Sequence, residues 1–179
     1  MQDEQSLVYR AQQGDKKAFA QLYESHFDKI YRYVVLRIGN KTEAEDVTQR
    51  VFLNALQSLR SFKWKGIPFS AWLFRIAHNL VVDYLRKAKK VVITPLDESS
   101  VRSDSNPQLA AEQRLDIEQL TSATKRLTKA QREVISLRFA GELSVAESAK
   151  VMGKSEGAVK ALQHSAIVAL RKTLVRAEG

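Results

Sequence analysis

Apolar positions three and four residues apart run through most of this chain, the period of a helix with one buried face. A first short stretch, Glu4–Gln13, is closed by Gly14, and Asp15 is placed to cap the helix that follows. There Phe19, Leu22, Tyr23, Phe27, Ile30, Val34 and Arg37 keep the period until Gly39-Asn40 ends it. Thr42-Glu43-Ala44-Glu45 reads as a capping box that opens a third helix, with Val47, Val51, Ala55 and Leu59 as its inward stripe. Ser61–Pro68 holds Gly66 and Pro68 and reads as a loop. A fourth helix starts near Phe69, with Phe69, Leu73, Ile76, Leu80 and Tyr84 predicted to face inward.

The pattern then breaks. Residues 91–106 are rich in Ser, Asp and Pro without a helical period, which is the signature of a linker. Helical patterning resumes near Pro107. Thr128 is a cap for Gln131–Ala140, Gly141 is a stop, Ser144 caps Val145–Met152, and Gly157–Val175 forms a last helix. The final pair has helix-turn-helix spacing. Ala149 is small where two helices must approach, Gly153 sits where the turn can require positive φ, and Val159 and Leu162 supply the buried side of the second helix. The fold expected is all-α: two small helical domains, 1–90 and 111–179, joined by a flexible linker at 91–110, with the helix-turn-helix in the second.

Charge sharpens this division. The 179 residues carry a net charge of +9, but residues 1–59 are neutral, 60–90 carry +7, 97–118 carry −4 and 125–179 carry +6. Two basic blocks separated by an acidic one suit two modules that bind an anionic partner, foremost nucleic acid. The chain has no cysteine, which removes disulfides and thiolate metal sites, and its three histidines show no ligand spacing. No apolar run approaches the length of a membrane span, so a soluble cytoplasmic protein without membrane insertion is expected.

The block around the fourth helix is aromatic as well as basic. Phe62, Trp64, Phe69, Trp72, Phe74 and Tyr84 lie among eight Lys or Arg and one acid, Asp83. Cations suit phosphates, and ring faces suit unstacked bases. The plainer reading of Phe69, Trp72, Phe74 and Tyr84 is core. Phe62 and Trp64 differ, because a Gly/Pro loop flanked by Lys63 and Lys65 has little room to bury both rings. Lys63, Trp64 and Lys65 at the helix entrance, with Arg75, His78, Asn79 and Arg86 on or beside its polar face, are the candidates for strand binding. In the last helix Ser155, Glu156, Lys160, Gln163 and His164 point outward near the N-terminal half, the part that enters a major groove, with Arg171 further along. On the third helix Glu45, Asp46 and Gln49 form an acidic strip that periodicity alone assigns to solvent as readily as to a protein.

These stretches resemble a known family. TEAEDVTQRVFL (42–53) is similar to the core-polymerase-binding segment of bacterial sigma factors. FSAWLFRIAHNLVVDYLR (69–86) resembles the promoter-melting helix of the extracytoplasmic-function (ECF) group, and residues 127–174 resemble its region 4. The resemblance implies that Glu45, Asp46, Gln49 and Phe52 meet the β′ clamp helices of core RNA polymerase. It implies that the Lys63–Pro68 loop receives a base flipped from the −10 element while Arg75, His78, Asn79 and Arg86 line the DNA. It also implies that region 4 binds the −35 element and the β flap. Members of this group are often held by an anti-sigma factor that would cover these same faces. Melting needs no nucleophile, general base, metal or cofactor, so the chain reads as a non-enzyme. Two positions depart from the family pattern: Ser148 stands where an apolar residue usually precedes Ala149, and Arg50 replaces a common acid. The other reading is a helix-turn-helix regulator with an N-terminal dimerisation or sensing domain; it leaves the basic, aromatic block unexplained.

Overall fold

The computed structural model describes residues 3–64, 67–90 and 119–178, and every regular element among them is helical. In chain order these are α1 (Glu4–Gln12), α2 (Lys16–Ile38), α3 (Lys41–Ser58), α4 (Phe69–Lys90), α5 (Lys129–Ile135), α6 (Val145–Met152) and α7 (Glu156–Glu178). Residues 119–124 are also helical. The expected linker at 91–110 lies outside the described residues.

Local chemistry sets most of the boundaries. The Asp15 carboxylate accepts from the Lys17 and Ala18 amides at the start of α2 and also binds the Arg10 guanidinium. Those contacts, Arg10 first, hold the Asp15 carboxyl below its ordinary value. Gly39 closes α2 in the left-handed region at φ 84°. The cap of α3 is not the expected one. Asn40, directly after that glycine, accepts from the Glu43 amide, and the helix already runs at Lys41, before Thr42. Thr128 and Ser144 both form full capping boxes, with Gln131 and Glu147 respectively. The helix after Thr128 does not stay α to Ala140: it widens at Ser136–Ala140 into a π turn. There the Ser136 hydroxyl donates to the Arg132 carbonyl, and the Gly141 amide donates to the Ser136 carbonyl.

The first core is built from Leu22, Ile30 and Val34 of α2, Val51 and Ala55 of α3, and Phe69, Leu73, Ala77 and Val81 of α4. The buried stripe of α4 therefore differs from the predicted one: Ile76, Leu80 and Tyr84 are only half-buried, while Phe74, Ala77 and Val81 are fully enclosed. The reason is tertiary. Helix α4 is covered from two sides, by α2 and α3 and by the C-terminal half, whose Leu137, Leu143 and Val151 join this same core. A second, smaller core gathers Leu127, Val134, Ile135, Ala149, Val159 and Ala166.

The helix-turn-helix forms as the spacing predicts. Ala149 and Val159 are buried, and Gly153 takes φ 65°. Ser148 is fully buried in this hairpin, and its hydroxyl has no hydrogen-bond partner. A buried unpaired hydroxyl carries a desolvation cost with no compensating bond. Ser148→Ala is therefore expected to stabilise the protein by about 1 kcal/mol, read as an increase in the urea midpoint at unchanged slope.

Candidate nucleic-acid interface

The loop before α4 is pinned from below. Gln12 of α1 donates through Nε2 to the Leu59 and Phe62 carbonyls, at 3.0 and 2.9 Å. Phe62, expected to be hard to bury, is in fact core: its ring packs 5.1 Å from Trp72 and 5.7 Å from Phe69. The carbonyl anchor draws the chain inward at this point, so the ring follows. Trp64 is half-buried and meets Phe62 edge to face at 5.2 Å, while Lys63 is exposed. A supported ring beside a free cation is a surface on which an unstacked base can lie. Lys65 lies outside the described residues.

The four polar candidates on α4 have different fates. Asn79 is exposed. Arg86 is also exposed and pairs with Asp83, as does Lys87. Those partners, Lys87 first, hold the Asp83 carboxyl below its ordinary value. Asn79 and Asp83 line a shallow groove of about 610 Å³ between α3 and α4, with Asn54 and Gln57 on its other wall. Sequence reasoning missed those two amides; their only signal is that they fall off the apolar stripe of α3. Arg75 and His78 are half-buried and already hydrogen-bonded within the chain. Arg75 donates to the Lys150 carbonyl at 2.8 Å, and His78 Nδ1 lies 2.8 Å from Glu133 Oε1.

Glu133 is the centre of a buried polar cluster that the sequence did not announce. Its side chain is 5% exposed. The Tyr33 hydroxyl donates to its carboxylate at 2.8 Å, Arg37 Nε stands 2.6 Å from Oε2, and His78 closes the other side. Arg37 Nε makes no directed hydrogen bond despite that distance, so this is a close ion pair rather than an aligned bond. Burial pushes the Glu133 carboxyl up, but the His78 bond and the Arg37 charge outweigh it and hold it below its ordinary value. An ionised carboxylate only accepts, so His78 carries its proton on Nδ1. The Tyr33 hydroxyl is pushed far up by burial and by the carboxylate beside it, and stays a donor.

At the second candidate surface Ser155, Glu156, Lys160, His164 and Arg171 are exposed along α7. The Ser155 hydroxyl accepts from the Ala158 amide and caps the helix. Gln163 is half-buried, and its Oε1 accepts from Arg138 Nε at 2.9 Å. On α3, Glu45, Asp46 and Gln49 are exposed as predicted. Phe52 is not: it is buried 4.7 Å from Tyr23 and 6.1 Å from Phe27, so it supports this surface from beneath. The exposed apolar groups beside the acidic strip are Leu53 and Leu56, which the sequence reading did not single out. Among the described residues no cluster of His, Asp or Glu is arranged to hold a metal, and no helix is long and apolar enough to cross a membrane.

Comparison with known proteins matches both halves. Residues 22–91 match the family model for Sigma-70 region 2 and residues 123–172 that for Sigma-70, region 4. The ECF RNA polymerase sigma factor BldN of Streptomyces coelicolor is 41% identical over 172 residues; the match covers 94% of this chain and 64% of BldN, just under two thirds of its length. The ECF RNA polymerase sigma factor SigW of Bacillus subtilis is 32% identical over 177 residues, covering 93% of this chain and 94% of SigW. Among solved structures, CnrH in complex with the cytosolic domain of CnrY superposes with a TM-score of 0.75 at 29% identity, covering 98% of this chain and 99% of that one.

All of the partners of Glu133 lie on α2 and α4, across the seam between the halves. Glu133→Ala leaves Arg37 buried without its counter-charge, a cost of about 3–5 kcal/mol that undocking of the halves relieves. Calorimetry is expected to show one melting transition for the wild type and two for the variant. The acid limb changes too. Because the folded-state carboxyl is held below its ordinary value of 4.5, ionisation favours the docked state; that contribution is complete above about pH 4.5 and fades as pH falls through the folded value. Glu133→Gln is expected to flatten the stability profile over that window.

Proposed function

The chain belongs to the ECF group of RNA polymerase sigma factors, non-enzymatic subunits that direct promoter recognition and transcription initiation, and from that premise we propose which of its surfaces does what. The observation that carries the assignment is the paired match, region 2 on one helical unit and region 4 on the other, in that order in one chain. A plain helix-turn-helix regulator has no use for the first of these.

Lys63 and Trp64, with Lys65, receive a base of the non-template strand at the −10 element. Asn79 and Arg86 continue the path along α4, with Arg75 and His78 available once their present partners leave. The groove bearing Asn54 and Gln57 adds neutral donors and acceptors beside that path. Unstacking a base costs about a few kcal/mol, which a fitted ring and phosphate contacts offset. Ser155, Glu156, Lys160, Gln163 and His164 enter the major groove at the −35 element, and Arg171 contacts its backbone. The exposed strip Glu45, Asp46 and Gln49, flanked by Leu53 and Leu56, docks on the β′ clamp helices, with Phe52 stiffening it from behind. Region 4 also meets the β flap. CnrH is in complex with the cytosolic domain of CnrY, and an anti-sigma factor is the remaining partner of this chain. Work with the polymerase places the chain in the cytoplasm. Units 1–90 and 111–179, with 91–110 as the connector, are the corresponding domains.

Run-off transcription with purified core RNA polymerase on a promoter library tests this. Initiation that requires the chain and selects a shared −35/−10 pair supports it; sequence-specific binding without core-dependent initiation overturns it. Lys63→Ala with Trp64→Ala is expected to reduce open-complex formation at least tenfold, at about 1–3 kcal/mol per lost base contact, with core binding unchanged by pull-down. Lys160→Ala with Gln163→Ala is expected to weaken the −35 footprint and leave melting of a pre-opened −10 bubble intact.

A further inference from the structure

Helix α1 precedes the residues that match region 2, which begin at 22, yet it touches the loop before α4. Gln12 is the link. Its side-chain amide carries two hydrogens, and Nε2 stands 3.0 Å from the Leu59 carbonyl and 2.9 Å from the Phe62 carbonyl. The Leu59 carbonyl also accepts from the Phe62 amide at 3.1 Å and closes a short 3-10 turn at Leu59–Ser61. At Phe62 the backbone leaves that turn and becomes extended, with φ −68° and ψ 132°. One amide therefore holds both sides of the bend that leads into Lys63 and Trp64.

Gln12 is itself held in place. Near the end of α1 the Arg10 guanidinium donates twice to Asp15 Oδ2, at 3.0 and 2.7 Å, across the turn at Gly14, whose φ is 95°. At its start Glu4 Oε1 lies 2.7 Å from His26 Nε2 of α2. Between them Leu7, Val8 and Ala11 are buried. The helix is thus fixed at both ends, and Gln12 passes that fixation to the loop. From the other side the Phe62 ring is packed on Phe69 and Trp72 of α4, at 5.7 and 5.1 Å. Phe62 is gripped at its ring by one helix and at its carbonyl by another. Trp64, two positions on, rests edge to face on that same ring. A surface fixed before its ligand arrives binds without the cost of ordering itself.

We propose that Gln12 is a positioning residue for base capture: by holding the Leu59 and Phe62 carbonyls it sets the direction of Lys63 and Trp64, and so prepares the surface on which the flipped base lies. This rests on the assignment of Lys63 and Trp64 to that base of the −10 element. Gln12 acts through the loop backbone without touching DNA. Without its donors the loop samples other directions, and apparent affinity for the base falls by the fraction of molecules in which the surface is formed. Because the loop receives one base, the loss falls on one position of the promoter.

Gln12→Met keeps the length of the side chain and removes both donors; Gln12→Lys returns donors to the same carbonyls. Each full-length variant is combined with core polymerase, and open-complex formation is measured on the promoter selected by run-off transcription and on its single-base substitutions at −10 and −35. Gln12→Met is expected to form open complexes about tenfold more slowly, the size of one or two net hydrogen bonds, with core binding unchanged. It is expected to lose discrimination at the same −10 position as Lys63→Ala with Trp64→Ala, and to keep it at every other position. Gln12→Lys is expected to recover at least half of that discrimination. Undiminished open-complex formation by Gln12→Met overturns the proposal. So does a loss spread evenly over −10 and −35 positions, which is what general destabilisation produces, and so does a lysine variant no better than the methionine one. If Gln12→Met misfolds by circular dichroism, Gln12→Asn, whose amide is one methylene short of the carbonyls, takes its place under the same outcomes. Failure of core-dependent initiation by the wild type instead overturns the sigma-factor assignment, and unchanged melting by the Lys63 and Trp64 double variant overturns the loop assignment; a silent Gln12 beside an impaired double variant overturns the positioning role only.

Discussion

Glu133 sits where α2, α4 and α5 converge, and the docked molecule depends on its ionised carboxylate being fully answered. An unpaired carboxylate at that depth would cost several kcal/mol, more than most single contacts return. Tyr33, Arg37 and His78 supply one neutral donor, one fixed cation and one ring nitrogen, and all three come from the other half of the chain. The cluster adds little net stability compared with a well-packed apolar substitute. In this docking of the two halves the four groups answer one another across the seam.

Packing follows from that docking. With Glu133 in place, the π turn at Ser136–Ala140 delivers Leu137 into the first core and sets Gly141 against Phe74. Tyr33 meets the same Phe74 edge to face at 5.5 Å, so polar cluster and aromatic contact share one residue. Glycine is needed at 141 because of this close approach, not because of its backbone angle, which is an ordinary −81°. The result is a helix, α4, enclosed on two sides, with only its Asn79–Arg86 side and its entrance loop left outward. The acidic strip of α3 and much of the outer face of α7 stay exposed, while the start of α7 borders a groove shared with Arg75.

Much of the local structure was legible in the sequence. Asp15, Thr128 and Ser144 cap because their side chains satisfy amides that any helix start exposes, and Gly39 and Gly153 close helices because a left-handed residue is needed there. The helix-turn-helix and the outward candidates on α7 follow from period and spacing, which are properties of single helices. Thr42 was misread because two residues one position apart can both cap, and Asn40, the neighbour of the C-terminal glycine, does so. Phe62 was misplaced because burial of a ring depends on what covers it, here Phe69 and Trp72.

The sequence by itself determined two helical units, their charge and their family, since those rest on periodicity, caps and contiguous motifs. Only the tertiary structure decided that the units share a core, that Arg75 and His78 are engaged by the chain itself, and that Glu133 is buried. The physical reason is distance along the chain: Tyr33, Arg37, His78 and Glu133 span about a hundred positions, and no local period relates a carboxylate on one helix to the three donors that make its burial tolerable.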